Sequence, residues 1–587
     1  MVFCLIFSTF AAEIDQPLFL MRQKFVFTLI ALLTTTMVWA TSGNYGTRLV
    51  STTSLPLAAK TVRDHTGLSL KEAKELVEQA PCYVLQNVTL EDAQALANAL
   101  NNSGATARVV DMTTGRYFKQ PSEEKSCYFD VNGAYFGPEE EYLKGAGSYQ
   151  YQGAYFTGDY PSPFKTYLGK TDEEIQEKLD QMWNHYFKGD GNSKVYFDKG
   201  TEAYIKDINN CDVRSEGMSY GMMICVQTNH KEEFDKLWAW AKNHMWHKGG
   251  GWDGYFAWQR SENGSGGDDN CAPDGEMYFM MSLLFAANRW NDSSYMEDAQ
   301  LILEKMWENP QRSLFNPQHY VITFQPQGSE RDFSDPSYDL PAFVDLFSRW
   351  STTNKDKWAT AASNTRTHLY RSSNTTSGLF PDYSNYDGTP HSVSYNLNAT
   401  KYMYDAMRCA MNFGMDYYLF GVDDKRQTEM AKRLIDFFEK DDYTHARFNW
   451  DGSNPSESYT LGEKGCNAVA CYALMEMPSY DEKIQRNLQM AWDADLMTGQ
   501  YRYYDGLVHY LSMLHLCGAF KIWKNMSEDI GWNYDVHKDN KVNVADVVDE
   551  VNRIKNNNYG VEYDFVGDGK LDSKDADAVV KYILKKK

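Results

Sequence analysis

The hydrophobic pattern between Gly153 and Met526 repeats with the period of an α-helix. Some segments are apolar on nearly every face, such as DGEMYFMMSLLFAANRW, whereas others, such as DEEIQEKLDQMWNHYF, are apolar on one face only. Helices of the first kind are expected inside a domain and helices of the second kind at its surface. This alternation predicts a mainly α fold in which inner and outer helices close into an α/α barrel.

Several stretches carry the helical pattern. They are DEEIQEKLDQMWNHYF, EEFDKLWAWAKNHMW, DGEMYFMMSLLFAANRW, YMEDAQLILEKMWEN, DKWATAASNTRTHLYRS, TKYMYDAMRCAMNFGMDYYLFG, KRQTEMAKRLIDFFEKD, GCNAVACYALMEM and YYDGLVHYLSMLHLCGAFKIW. The loops between them are long and rich in Trp, Tyr, Gly and Asp, most clearly KGGGWDGYFAWQRSENGSGGDDNCAPDGE. Long loops of this composition usually build a site.

Residues 41–112 have a different pattern, which predicts a small α/β module. The stretch GTRLVSTT reads as a strand, KTVRDHTGLSLKEAKELVEQ and TLEDAQALANALNNSG as helices, and ATARVVDM as a second strand. Gly104 is the expected stop of the second helix. Residues 113–150 are rich in Gly, Tyr and Glu without a clear period and are predicted to be a linker.

The first 40 residues are predicted to be a signal peptide. From Met21 the chain reads MRQKFVFTLIALLTTTMVWA, with a basic start, an apolar core and a small residue, Ala40, where cleavage could occur. We expect translation to begin at Met21 and the mature protein to be secreted. The apolar core is too short and too rich in Thr for a membrane span, and no other stretch approaches one.

Residues 527–587 contain two segments that align at a spacing of 29 residues. DVHKDNKVNVAD and DFVGDGKLDSKD are each followed by a short amphipathic helix, which predicts a duplicated half-EF-hand. Positions 1, 5, 9 and 12 of the calcium loops are filled by Asp535, Asp539, Asn543, Asp546, Asp564, Asp568, Asp572 and Asp575. Position 3 is His537 in one loop and Val566 in the other, so calcium is expected to bind more weakly. The alternative is a repeat that packs without metal.

The composition narrows the range of possible functions. A net charge of −22 over 587 residues argues against a nucleic-acid partner. Aromatic residues make up 14% of the chain, and flat rings either fill a core or stack on sugars. The ten cysteines lack CxxC pairs, which argues against zinc, and buried free thiols are expected.

Three acids stand inside otherwise apolar helical segments. Glu216 lies in DVRSEGMSYGMM, Asp274 in CAPDGEMYF and Asp405 in YMYDAMRCAM. Each follows a loop at or near a helix start, so a barrel could bring them to one rim. Cleavage of a glycosidic bond needs one protonated and one ionised carboxyl group. The alternative role for each acid is that of an N-cap or first-turn residue.

These three segments, in this order, resemble glycoside hydrolase family 8 over residues 151–526. The resemblance implies an (α/α)6 barrel and an inverting hydrolase that needs no catalytic cofactor. It implies Glu216 as the general acid, Asp405 as the general base and Asp274 as the acid that distorts the sugar. A helix N-terminus lowers the pKa of a carboxyl group. Burial of Glu216 and the charge of Asp274 must therefore raise its pKa by more than the helix lowers it.

Further residues are candidates for substrate binding. Tyr338 is expected to hold the water beside Asp405, and Arg408 to bond the sugar or the water, with a structural salt bridge as its alternative role. The rings predicted to line the cleft, each with core packing as its alternative role, are Trp252, Phe256, Trp258, Tyr503 and Tyr504.

The form SEGMSYGM resembles the xylan-active members of the family, so we expect an endo-1,4-β-xylanase that acts on xylan and xylo-oligosaccharides. In the reducing-end exo group a Leu-His-Pro loop closes the cleft, and the corresponding segment here, SYTLGEKGCNAVACYAL (458–474), has neither His nor Pro. The alternatives are a reducing-end xylose-releasing exo-oligoxylanase, an endo-β-1,4-glucanase or chitosanase, and a non-catalytic glycan-binding or assembly protein.

The two flanking regions also have resemblances. The segment from Lys60 to Val110 resembles the C-terminal domain of the bacterial ribosomal stalk protein, through Gly67, Leu70, Lys71, Ala73 and Lys74. This implies an interaction module, or a spacer fold, but export excludes the ribosomal role. The C-terminal repeat resembles a type I dockerin, which implies a cohesin-like scaffold protein as partner.

Overall fold

The computed structural model describes residues 43–118, 153–309, 311–524, 536, 544–556 and 571–585. The predicted signal peptide and most of the predicted linker lie outside these residues. The chain divides into two compact units, and each is described by itself.

The N-terminal unit is a four-stranded antiparallel sheet with three helices. Its elements are β1 (Tyr45–Thr52), α1 (Leu55–Thr66), α2 (Leu70–Val77), β2 (Cys82–Val88), α3 (Leu90–Asn102), β3 (Ala105–Asp111) and β4 (Arg116–Tyr117). The strand order is β2-β1-β3-β4. The one long predicted helix is two helices, because Gly67 is left-handed (φ 74°) and Ser69 begins α2 with a capping box. Strand β4 falls within the predicted linker.

The second unit is built around buried helices. Among its described residues, six helices are buried along almost their whole length: α7 (Ser215–Thr228), α9 (Pro273–Trp290), α11 (Pro341–Trp350), α13 (Arg408–Leu419), α15 (Leu461–Ala470) and α17 (Tyr504–Leu516). Helix α17 packs on α7, which closes the inner ring.

Six amphipathic helices lie outside this ring: α6 (Asp172–Tyr186), α8 (Lys231–His244), α10 (Ser293–Glu308), α12 (Lys355–Ser372), α14 (Asp424–Lys440) and α16 (Asp481–Trp492). Helices α8, α10, α12, α14 and α16 each pack on the inner helix that precedes them, and α6 packs on α17. The predicted α/α barrel is therefore present.

Short elements complete the unit. They are α4 (Ala154–Thr157), α5 (Pro163–Leu168), β5 (Tyr196–Asp198), β6 (Ala203–Ile205), β7 (Val213–Arg214), β8 (Gln259–Arg260), β9 (Lys401–Tyr402), β10 (His445–Asn449) and β11 (Ser456–Ser458). Two C-terminal helices, α18 (Val544–Lys555) and α19 (Ser573–Lys585), pack on each other.

The structure corrects the predicted helix over residues 400–421. Only Arg408–Leu419 is helical, and the part before it forms strand β9 and a turn. Helices α11 and α16 were not predicted. The eight described cysteines are free thiols, all buried except Cys82 and Cys211. Within the described residues, no helix is long and apolar enough to cross a membrane.

Candidate active site

Two glycines let the first turns of the inner helices approach closely. A Cβ on Gly275 would lie 2.6 Å from Ser215 Oγ, so α9 can approach the start of α7 only without a side chain there. A Cβ on Gly217 would lie 2.4 Å from the ring of Tyr503, just before α17. This close packing brings Glu216 and Asp274 to one end of the barrel.

Arg408, in the first turn of α13, joins the three predicted acids. Its side chain is buried, and its guanidinium group lies within hydrogen-bonding distance of oxygens on four segments. The acceptors are Glu216 Oε2 (3.0 Å), Tyr220 Oη (2.7 Å), Asp274 Oδ2 (2.8 Å), Ser337 Oγ (2.8 Å) and Asp405 Oδ1 (3.2 Å). One buried cation thus contacts all three carboxyl groups.

Glu216 is the second residue of α7 and is held from both sides. Tyr503 Oη donates to Glu216 Oε1 at 3.1 Å, while Arg408 contacts the other oxygen. Burial raises the pKa of Glu216 to about 7, with Asp274 and Asp405 adding to the rise and Arg408 opposing it. Burial therefore outweighs the opposing charge of Arg408, and Glu216 can carry a proton near neutral pH.

Asp274 is more deeply buried than the other two acids. Its Oδ1 accepts a hydrogen bond from the backbone N–H of Gly275 at 2.9 Å, and its Oδ2 contacts Arg408. Burial raises the pKa of Asp274, while the charge of Arg408 lowers it.

Asp405 lies in the turn just before α13 and is the most exposed of the three acids. Its side chain is 37% exposed, against 5% for Asp274. Two buried acids that the sequence interpretation missed, Asp335 and Asp382, lie near it. Burial first, and then the charge on Asp405, raise the pKa of both well above the usual range.

Tyr338 lies in the short 3-10 turn Pro336–Tyr338. Burial and the charges of Asp274, Asp335 and Asp405 raise the pKa of its phenol, so the hydroxyl stays protonated and can donate a hydrogen bond. Arg408 lies 5.8 Å from the centre of its ring. Tyr338 therefore lies beside the acid cluster, and its role in holding a water beside Asp405 stays a prediction.

Two of the predicted cleft rings touch the acid cluster. Tyr503 donates to Glu216, and the ring of Tyr504 lies 5.8 Å from Arg408 while its hydroxyl donates to the carbonyl of Tyr404 at 2.7 Å. Tyr503 is itself buried, so it offers its hydroxyl rather than a free ring face.

The other three predicted rings are arranged differently. Trp258 is half-buried with Arg214 over its ring at 5.4 Å, and its carbonyl accepts from the N–H of Ser215 at 2.9 Å. Trp252 is half-buried under Arg312 at 3.8 Å. Phe256 is a correction, because it is fully buried and stacks on Phe279 at 4.4 Å, which makes it a core residue.

Tyr220 and Ser337, which accept hydrogen bonds from Arg408, were not predicted as site residues, although Tyr220 was expected to help bury Glu216. Tyr220 stands four residues after Glu216 and therefore on the same face of α7, a signal that was readable. Ser337 and the two buried acids stand on loops, where no periodic pattern marks them.

Comparison with known proteins identifies the family of the barrel domain. Residues 199–517, more than half of the chain, match the model of glycosyl hydrolases family 8. The chain belongs to glycoside hydrolase family 8. Two relatives, the reducing-end xylose-releasing exo-oligoxylanases of Halalkalibacterium halodurans and Paenibacillus barcinonensis, are each 35% identical over 385 residues. That match covers 63% of this chain and 96% and 99% of the relatives.

Solved structures of family 8 match as well. The Paenibacillus barcinonensis enzyme in complex with xylose is 34% identical, covers 64% of this chain and 100% of its own, and has a TM-score of 0.60. A family 8 xylobiose complex from Teredinibacter turnerae is 36% identical with the same TM-score and covers 63% of this chain and 100% of its own. The architecture is therefore the (α/α)6 barrel of family 8. Separately, residues 58–110 match the model of the ribosomal protein L7/L12 C-terminal domain.

The predicted calcium ligands are only partly described. Asp546, Asp572 and Asp575 lie within the described residues, and the other five do not. In the described part of the chain, no group of three or more His, Cys, Asp or Glu side chains is arranged to hold a metal ion. Calcium binding stays a prediction.

Proposed function

We propose that this family 8 enzyme hydrolyses β-1,4-xylosidic bonds with inversion, using Glu216 as general acid and Asp405 as general base. The observation that carries the proposal is that the buried Arg408 contacts both carboxyl groups. Glu216 is the more buried of the two and Asp405 the more exposed. Glu216 is held by Tyr503 and Arg408 with a pKa of about 7, so it has a proton to give to the leaving oxygen. Asp405 is the more open carboxyl group and can take a proton from water.

The contacts with Arg408 set an upper limit on the distance between the two carboxyl groups. Both carboxyl groups lie within 3.2 Å of the same guanidinium group. The separation of these oxygens therefore stays below the upper end of the range of about 6.5–9.5 Å that an inverting site needs for a water. In this proposal the Tyr338 hydroxyl holds that water beside Asp405.

Asp274 is assigned to the sugar bound beside the scissile bond. It bonds both Arg408 and the backbone of Gly275, so its position is fixed. A fixed carboxylate can accept hydrogen bonds from sugar hydroxyl groups that strengthen as the ring distorts, which lowers the barrier to cleavage.

For the substrate, we propose xylo-oligosaccharides shortened by one xylose from the reducing end. Support comes from three relatives described as reducing-end xylose-releasing exo-oligoxylanases, which are 33–35% identical over 94–99% of their own lengths. From the sequence alone, this exo activity was an alternative to endo cleavage. The comparisons with exo-acting relatives favour the exo activity.

Endo cleavage of xylan is the second candidate, because residues 458–474 lack the Leu-His-Pro sequence. This segment leads from the short strand β11 into α15, with Thr460 and Glu463 forming a capping box. A Teredinibacter turnerae protein whose solved structure is described as a xylanase is also 35% identical.

Product analysis separates the two candidates. Xylotriose to xylohexaose, each ¹⁸O-labelled at the reducing end, would be incubated with the enzyme and followed by mass spectrometry. Exo action releases labelled xylose alone in the first turnovers from every length. Early labelled xylobiose or xylotriose, together with shortening of polymeric xylan, would instead identify endo action.

Export and a cohesin-like partner are further proposals, supported by the signal-like segment from Met21 and by the C-terminal repeat. Loss of the first 40 residues from the secreted protein, read by N-terminal sequencing, tests the first. Calcium-dependent retention of the full chain on an immobilised cohesin tests the second.

A further inference from the structure

Asp382 accepts hydrogen bonds from the backbone on both sides of Asp405. It stands on the loop between α12 and β9, and its Oδ1 accepts the N–H of Met403 at 3.2 Å and that of Ala406 at 3.1 Å. Its own N–H donates to the carbonyl of Lys401 at 2.9 Å. One side chain from a separate loop thus fixes the turn that carries the proposed base.

A second buried acid, Asp335 on the loop before α11, holds a turn in a similar way. Asp335 Oδ1 accepts the N–H of Ser337 at 2.8 Å, and the carbonyl of Asp335 accepts the N–H of Tyr338. Asp335 and Asp382 each hold a turn, one bearing Tyr338 and the other Asp405. Both are almost fully buried.

We propose that Asp382 is a positioning residue of the hydrolytic reaction, which holds the Met403–Ala406 turn so that the Asp405 carboxylate faces the attacking water. The inference rests on the proposed role of Asp405 as general base. The positioning role predicts that a neutral acceptor at position 382 is sufficient, because the Asp382 side chain accepts hydrogen bonds from backbone N–H groups.

The charges around Asp382 agree with a neutral side chain. The groups that face it are Asp405 in the turn, Asp335 on the loop before α11 and Arg447 on β10. Burial and the charge of Asp405 raise the pKa of Asp382, and Arg447 opposes them. Asp382 is therefore expected to carry a proton, which suits a side chain that only accepts backbone N–H groups.

The test compares Asp382→Asn with Asp382→Ala in the full chain, with xylotriose as substrate. The Asn variant keeps an acceptor of the same shape, so kcat is expected within about threefold of wild type. The Ala variant frees the turn and is expected to lose about 100-fold in kcat with little change in KM, since misplacement by about 1 Å can cost that much. If Asp382→Ala does not fold, as judged by circular dichroism, Asp382→Ser is compared in the same way.

The pH profile tests separately whether Asp382 is neutral in the wild type. If Asp382 is neutral in the wild type, Asp382→Asn leaves the acid limb of kcat/KM in place. A downward shift of more than about half a pH unit would mean that a charge had been removed beside Asp405, and it would overturn the proposal.

Gln227→Ala is the matched control. Gln227 is a buried side chain at the far end of α7 that accepts the N–H of Lys521 at 3.0 Å. This variant is expected to lose stability but keep kcat. Wild-type kcat in Asp382→Ala, or equal loss in the Asn and Ala variants, contradicts the positioning role. Activity retained by Asp405→Asn would instead contradict the proposed function.

Discussion

Arg408 Nη1 lies 3.0 Å from Glu216 Oε2, so a buried cation contacts the carboxyl group that must hold a proton. The positive charge of Arg408 lowers the pKa of Glu216, while burial, Asp274 and Asp405 raise it. The balance leaves the pKa at about 7. The predicted pH behaviour of the enzyme follows from this balance.

The first prediction concerns pH. Glu216 must be protonated to act, so kcat/KM should fall as the pH rises through about 7. In the free enzyme labelled with ¹³C at glutamate Cδ, one resonance that is lost in Glu216→Gln should titrate near 7. Titration of this resonance below its ordinary value of about 4.5 would contradict the proposed acid.

The second prediction removes the cation. In Arg408→Met the charge that lowers the pKa of Glu216 is gone, so the basic limb of the kcat/KM profile should move to higher pH. We expect kcat to fall by about 100-fold as well, since substrate-positioning contacts of this kind are worth that much. Arg214→Met is the graded comparison, because Arg214 acts on Glu216 in the same direction but less strongly. A shift to lower pH in Arg408→Met would be inconsistent with the account.

The third prediction separates the acid from the base. Glu216→Gln should lose at least about 1000-fold in kcat on xylotriose, but much less on an aryl xylobioside whose leaving group needs no proton. Asp405→Asn should be inactive on both substrates, because water is activated in neither. Equal losses on the two substrates for Glu216→Gln would remove its role as general acid.

The fourth prediction tests the close contact between α7 and Tyr503. In Gly217→Ala the new Cβ would meet the Tyr503 ring at 2.4 Å, so the ring must move off Glu216. We expect a loss of about 1–3 kcal/mol in stability together with a lower kcat. Gly191→Ala is the control, since a Cβ there meets nothing within 4 Å. Unchanged activity and melting temperature in both variants would show that the contact is unimportant.

The barrel, with Glu216 and Asp274 in its inner helices, was predictable because it rests on periodicity. Apolar positions on every face mark the inner helices, and an acid inside such a segment stands out, as Glu216 does. Helix α11 is only ten residues long and was missed, and α16 was missed although Ile484, Leu488 and Trp492 follow the helical period.

The loop residues of the site were not predictable in the same way. Asp335 and Asp382 look like ordinary loop acids in the sequence, and their role depends on which backbone groups the folded loops bring to them. Phe256 was assigned to the cleft because it stands in an aromatic loop. Contact with Phe279 on α9, which no local pattern encodes, buries it.

The central claim, inversion by Glu216 and Asp405, is tested most directly by ¹H NMR of the first minutes of xylotriose hydrolysis. Attack by water from the face opposite the leaving group forms the new reducing end as the α-anomer. We predict that the α-anomeric signal of xylobiose appears first and that mutarotation then produces the β signal. If the β-anomer of xylobiose appears first, the reaction retains configuration and the proposed mechanism is wrong.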